Sequence, residues 1–181
     1  MNVELRRKLF HVFSILLWLL PLVLLPKPLL LLLCLLVILL NLSLVFKLGR
    51  DRLKSIYDLI YYFEREKNLE KPSIQALWLN LGVFLSFIFF PKECSAVGVV
   101  ITAVGDGFAG MVGYHFGKTK IGNKSLEGAL AFFVSTSLVL FPFLGPKAFL
   151  VALAGTLVEL FSKRVDDNFL LPLVGSLVAC L

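Results

Sequence analysis

Between Gly105 and Gly128 the chain reads GDGFAGMVGYHFGKTKIGNKSLEG. Asp106 lies in a run of glycines, Gly105, Gly107, Gly110, Gly113 and Gly117. Lys118, Lys120 and Lys124 follow, then Glu127 and Gly128. A carboxylate among small residues can take a cation. Lysines, and the free backbone N–H groups that follow glycines, can take phosphates. One carboxylate and three lysines at the end of an apolar helix therefore suit a Mg²⁺–triphosphate. The same residues also suit close helix packing and a basic membrane face. The order is not that of a Walker A loop, because GxxxxGK[ST] is absent.

Two further clusters carry polar chemistry. In Arg6-Arg7-Lys8 with His11, Arg7 and His11 are i and i+4 and share a helix face. Arg7 and Lys8 could clamp phosphate, with His11 as a base or orienting group. A basic anchor with a histidine bonded to a neighbouring helix fits equally. The other cluster is Glu159 with Asp166-Asp167-Asn168. These residues could cap a helix or give Mg²⁺ a second set of oxygen ligands. Asp106 falls about eight residues before the polar loop, at membrane depth, where an unpaired ionisable group costs at least a few kcal/mol. Within the loop, Gly117-Lys118, Lys120 and Asn123-Lys124-Ser125 offer donors to phosphate oxygens. Glu127 could ligate metal or favour the start of the next helix. Neither histidine, His11 or His115, has metal-ligand spacing, and no GxSxG elbow occurs.

The elements that must carry these groups are membrane helices. Of 181 residues 59% are hydrophobic, and the mean hydropathy is +0.91. Several runs approach the roughly 20 residues that cross a bilayer. Seven spans are predicted at about 9–25, 29–46, 73–90, 94–113, 128–144, 148–162 and 169–181. The fold class is an all-α integral membrane protein, with residues 1–181 as one domain and no cleavable signal expected. Thirteen residues of helix reach only about 20 Å, so the last span is short for a core about 30 Å thick. Lysine and arginine sort by side: fifteen fall in the head and the three longer loops, three in the Pro-Lys turns at 26–28, 91–93 and 145–147. The positive-inside rule then puts the N-terminus and the three polar clusters in the cytoplasm. The net charge of +6 reflects that face and anionic lipid, with no nucleic acid called for.

Leu53, Ile56, Tyr57, Ile60 and Phe63 repeat at helical spacing among charges. An amphipathic helix on the cytoplasmic interface is expected, either a connector or a gate beside a lipid entrance. Cys34, Cys94 and Cys180 show no paired spacing, so neither a disulfide framework nor a zinc site is expected.

Taken in order, the clusters resemble the CTP-dependent lipid alcohol kinases: dolichol kinase, phytol kinase and the CTP-dependent diacylglycerol kinase. The resemblance rests on Arg7-Lys8-x-x-His11, Gly105-Asp106 with Gly113 and Gly117, Lys124-Ser125-x-Glu127-Gly128, and Glu159 with Asp166-Asp167-Asn168 and Pro172. It implies CTP as donor, Mg²⁺ as cofactor and a membrane alcohol as acceptor, at a site on the cytoplasmic face. Asp106 and His11 would be catalytic. Asp106, Glu127, Glu159, Asp166, Asp167 and Asn168 would hold metal. Arg7, Lys8, Gly113, Gly117, Lys118, Lys120, Asn123, Lys124, Ser125 and Gly128 would bind nucleotide. Phosphatidate cytidylyltransferase looks like a more distant relative, but the ending SKRVDDNFLLP departs from its signature. A small transporter or lipid-binding protein is the alternative outside enzymes. Oligomeric state and the acceptor lipid stay open.

The orientation is testable. Single cysteines at Lys27, Lys92 and Lys147, in a background lacking native cysteines, are expected to label with membrane-impermeant maleimide from outside. Labelling from the cytoplasm alone would reverse the topology.

Overall fold

The computed structural model describes residues 3–52, 54–64, 69–162 and 164–181. Among the described residues ten α-helices follow one another: α1 (Val3–Leu16), α2 (Leu19–Leu24), α3 (Lys27–Val45), α4 (Lys54–Phe63), α5 (Ile74–Phe89), α6 (Lys92–Val100), α7 (Gly107–Phe116), α8 (Leu126–Leu144), α9 (Lys147–Phe161) and α10 (Asp167–Cys180). A π-helical turn, Ile101–Asp106, joins α6 to α7 in one continuous rod. Among the described residues four helical stretches are long and apolar enough to cross a membrane: Glu4–Leu24, Lys27–Val45, Lys92–Phe116 and Leu126–Leu144. Ile74–Phe89 and Asp167–Cys180 are apolar but shorter. The first stretch starts five residues before the predicted span, so Arg7, Lys8 and His11 are helical and can reach inward.

The punctuation is where the sequence marks it. Pro26, Pro91 and Pro146 precede α3, α6 and α9, at positions where a missing N–H does no harm. The lysine of each turn also has a partner. Lys27 Nζ donates to Ile88 O (2.9 Å), Lys92 Nζ to Leu25 O (2.7 Å) and Lys147 Nζ to Ala179 O (2.7 Å). Each ammonium therefore satisfies a carbonyl at the C-terminal end of a neighbouring helix, where the backbone has no partner of its own. The predicted irregular loop after α7 is in fact a small antiparallel hairpin. β1 (Lys120–Ile121) pairs with β2 (Lys124–Ser125), and Gly122 takes φ +61° in the two-residue turn.

Inside the bundle, small residues let backbones meet. Phe132 of α8 is fully buried with its ring against both Gly105 and Gly155; a Cβ on either would lie 2.7 Å or less from ring carbons. A Cβ on Gly82 would meet Phe169 O at 2.4 Å, and one on Gly98 would meet Pro172 O at 2.2 Å, so α5 and α6 both lie tight against α10. Polar pins fix register. Trp18 Nε1 donates to Asn80 Oδ1 (2.9 Å), Ser73 Oγ to Asn41 Oδ1 (2.6 Å), and the Ser86 and Ser176 hydroxyls meet at 2.6 Å.

The expectation of unpaired cysteines is corrected. Cys94 in the first turn of α6 and Cys180 at the end of α10 form a disulfide. Their 86-residue separation hid the pairing, which antiparallel packing of α6 and α10 creates. Cys34 is free and buried. Of the predicted amphipathic face, Ile56, Tyr57, Ile60 and Phe63 lie on α4, while Leu53 is outside the described residues. Tyr57 is buried, and its hydroxyl donates to Ser43 O (3.2 Å).

Closing so long a loop implies a stabilisation of about 2–4 kcal/mol. Cys94→Ser and Cys180→Ser should lower the melting temperature by similar amounts, and the double variant by no more than either. Additive losses would mean that the thiols act separately.

Candidate active site

One ionic contact organises the pocket end of the bundle. Lys8 on α1 reaches across to the π-helical turn, where its ammonium donates to Asp106 Oδ2 (2.8 Å) and to the Asp106 carbonyl (3.1 Å). Both side chains are at least nine-tenths buried. Gly110 makes the reach possible, since a Cβ there would stand 2.0 Å from Lys8 Cε. His11, one turn along, sets Nε2 2.7 Å from the same Asp106 oxygen. The π-helical turn widens the helix by one residue at the point where the carboxylate must enter the pocket, a placement common at functional sites.

A second charged group faces the first. Lys124, delivered by β2, donates to Glu159 Oε1 on α9 and to Asp167 Oδ2 in the first turn of α10, each at 2.6 Å. Burial alone would pull this ammonium down, but Glu159 and Asp167 outweigh it and hold the Lys124 pKa above the ordinary lysine value. Asp106, Glu159 and Asp167 each bring a carboxylate oxygen within 4.8 Å of the other two. Two buried acceptors in the same wall, Glu159 Oε2 and Asn168 Oδ1, have no hydrogen-bond partner. An all-oxygen set with orphaned acceptors fits a hard cation such as Mg²⁺.

These groups line a cavity of about 630 Å³. Arg7, Lys120, Asn123, Ser125, Gly113 and Gly128 also face it, alongside Lys8, His11, Lys124 and the acidic groups. Not every sequence candidate does. Lys118 is exposed and outside the lining, and Gly117 packs its backbone on Gly113 O. The Glu127 carboxylate accepts the Thr119 N–H (3.0 Å) and so ties the hairpin to the start of α8. Asp166 is the N-cap of α10, with Oδ1 accepting Asn168 N–H (3.0 Å). Burial lifts the Asp166 carboxyl above its ordinary value, against the hydrogen bonds from Asn168. Ser125 both faces the cavity and caps α8 through Gly128 N–H (3.1 Å). A Cβ on Gly128 would stand 3.3 Å from Gly113 Cα, so the two glycines are where α7 and α8 cross.

The structure adds residues that the sequence reading passed over. Glu4 Oε2 accepts Arg7 Nη2–H (3.1 Å), and Gln75 Oε1 lies 3.4 Å from Arg7 Nη1; both line the cavity. Glu4 is i−3 to Arg7, a spacing visible in the sequence; Gln75 had no local signal. The i, i+3 spacing of Lys8 and His11 was the available hint that they share one partner.

The uncharacterized protein MJ1137 of Methanocaldococcus jannaschii is 36% identical over 147 residues, covering 78% of this chain and 74% of that protein. The chain belongs to its family. The uncharacterized protein RP860 of Rickettsia prowazekii is 28% identical over an alignment of 188 positions, covering 95% of this chain and 91% of that protein. The probable phytol kinase 1, chloroplastic, of Oryza sativa is 33% identical over 155 residues, covering 72% of this chain. Here the chain spans about half of the relative, 49% of its length. These partial likenesses to proteins named phytol kinase support a lipid-kinase family. No protein-family model and no solved structure matches the chain.

Breaking a buried ion pair from one side strands the other charge, at about 3–5 kcal/mol. Lys8→Met and Asp106→Asn should each destabilise the protein strongly in detergent. The double variant should regain most of the loss while staying inactive. A double variant as unstable as the sum of the singles would show that the two groups do not act as a pair.

Proposed function

We propose that the chain is a membrane lipid-alcohol kinase. It transfers the γ-phosphate of CTP to the hydroxyl of a membrane alcohol, with Mg²⁺, at the cytoplasmic end of seven spans. The observation that carries this reading is one cavity in which a carboxylate triad, the buried Lys8, the half-buried Lys124 and a histidine converge at one end of an apolar helical bundle. The relatives named phytol kinase support the reaction class. Fifteen of the eighteen Lys/Arg on one side support the orientation. The choice of CTP rests on the family resemblance.

Mg²⁺, when bound, would supply positive charge to offset that of the phosphates. Asp106, Glu159 and Asp167, with Asn168 Oδ1, would hold it. Arg7, Lys120 and Lys124, in the lining of the same cavity, would neutralise the triphosphate. In the resting arrangement Lys124 bridges Glu159 and Asp167, so its ammonium already lies beside the carboxylates that would meet the nucleotide. The acceptor oxygen attacks the γ-phosphorus in line: the new O–P bond forms, the bond to the β-phosphate oxygen breaks, and CDP leaves. The hydroxyl proton passes to His11. Asp106, 2.7 Å from His11 Nε2, sets a carboxylate beside the ring that takes the proton. Lys8 keeps the Asp106 carboxylate fixed and compensated.

Purified protein in liposomes, given labelled CTP or ATP, Mg²⁺ and a panel of lipid alcohols, should yield a lipid monophosphate and a nucleoside diphosphate. A CDP-lipid with pyrophosphate would make it a cytidylyltransferase instead, and no nucleotide turnover would remove the enzyme reading. Within the active protein, Lys124→Ala should raise the nucleotide KM about tenfold to a hundredfold, as loss of a charge-assisted contact does. Lys118→Ala, outside the cavity, should change it little. Equal mild effects would return the loop to a topology signal.

A further inference from the structure

A second, smaller cavity of about 100 Å³ opens beside the first. Its walls come from α1, α4 and the start of α5. Phe10, Ile60, Phe63, Ala76 and Leu79 make it mostly apolar. Arg7, His11 and Gln75 stand in the walls of both cavities, so the polar end of the small one is the side of the large one. Its other flank belongs to a helix that faces outward with apolar side chains: Phe10 is 41%, Phe13 70% and Leu17 61% exposed. The Phe10 and Phe63 rings stack at 4.3 Å across the α1–α4 seam. Beside them the Arg6 guanidinium lies 3.6 Å over the Tyr62 ring and donates to the Tyr62 carbonyl. α4 is thus clasped to α1 by side chains at the seam.

We infer that this groove is the acceptor subsite: it admits the hydroxyl end of a single-chain membrane alcohol sideways from the bilayer, between α1, α4 and α5, and presents it to His11. This rests on the kinase reading above and adds to it the route and the acceptor class. Continuity supplies the route, because an apolar slot with one side on a lipid-facing helix ends at the histidine and arginine of the phosphate cavity. Volume supplies the class. At about 100 Å³ the groove takes a short stretch of one chain and little more. That suits the first carbons of one chain, with the tail left in lipid, and is too narrow for a glycerol carrying two ester arms. The stacked Phe10–Phe63 pair closes the lipid side and must part for the chain to enter.

Ala76 lines the groove and not the larger cavity, so it separates the two sites. In liposomes with CTP and Mg²⁺, Ala76→Phe should raise the KM for a C20 isoprenoid primary alcohol about tenfold or more, while the nucleotide KM stays within about twofold. An unchanged alcohol KM would overturn the subsite. A second measurement holds if that variant does not fold. Ala76→Cys should react with a hexadecyl methanethiosulfonate from the bilayer, and the C20 alcohol should protect it. The native cysteines do not compete, since Cys34 is buried and the other two are paired. Absence of protection would overturn the subsite, and equal protection by dioleoylglycerol would overturn the single-chain class. Protection needs no turnover. If the wild-type protein phosphorylates no alcohol yet protection is seen, the kinase reading fails and the groove stands.

Discussion

The buried pair between Lys8 and Asp106 is the constraint around which the pocket is built. Two charges at least nine-tenths buried are tolerable only together and only with further hydrogen bonds. The requirement propagates. α1 must lie close enough to α7 for the lysine to cross, which demands glycine at 110. The carboxylate must leave the helical ladder toward α1, which the π-helical turn arranges, and that turn is held from behind by Phe132 on Gly105. His11 then meets the same oxygen because it is one turn from Lys8. The histidine's position is a by-product of neutralising the aspartate, so a single electrostatic need yields a candidate proton acceptor at a fixed place.

The acidic residues divide by what satisfies them. Asp166 and Glu127 are occupied by backbone N–H groups and serve a helix start and a hairpin. Asp106, Glu159 and Asp167 are answered by ammonium groups, Asp167 also accepting the Asn168 N–H through its other oxygen, and Glu159 keeps one oxygen unsatisfied. A carboxylate bonded only within its own turn or hairpin is spent on architecture. One held by a movable lysine side chain can exchange that partner for another cation.

The helices were legible because apolar runs and Pro-Lys turns are local signals: every predicted span has a helix over it, most with ends shifted by only a few residues. The first helical stretch begins five residues before the predicted span because its polar residues interrupt the apolar run that marks a span, whereas in the fold a buried aspartate receives them. The pairing of Lys8 with Asp106 was not legible, as no local feature announces a partner 98 positions away. Cys94 and Cys180 failed likewise across 86 positions. Lys118, Glu127 and Asp166 had the right residue types in the right loops. Backbone hydrogen bonding and the direction of the hairpin, both tertiary outcomes, decided where they point. Four of the expected spans are long and apolar enough on their own terms, whereas α5 and α10 are short for a bilayer and lie against each other.

The three turn lysines and the disulfide have a mechanical meaning. Lys27, Lys92 and Lys147 each stitch one helix end to another, and the bond between Cys94 and Cys180 adds a covalent seam between α6 and α10. These fastenings lie at the turn end, and the cavity is at the other. A bundle sewn at its base behaves like a closed fan: its ribs cannot slide, and they can spread only from the far tips. Displacement then grows along each rib, so the hairpin that carries Lys124 and the first turn of α10 that carries Asp167 have the largest travel for the smallest disturbance of the packed core.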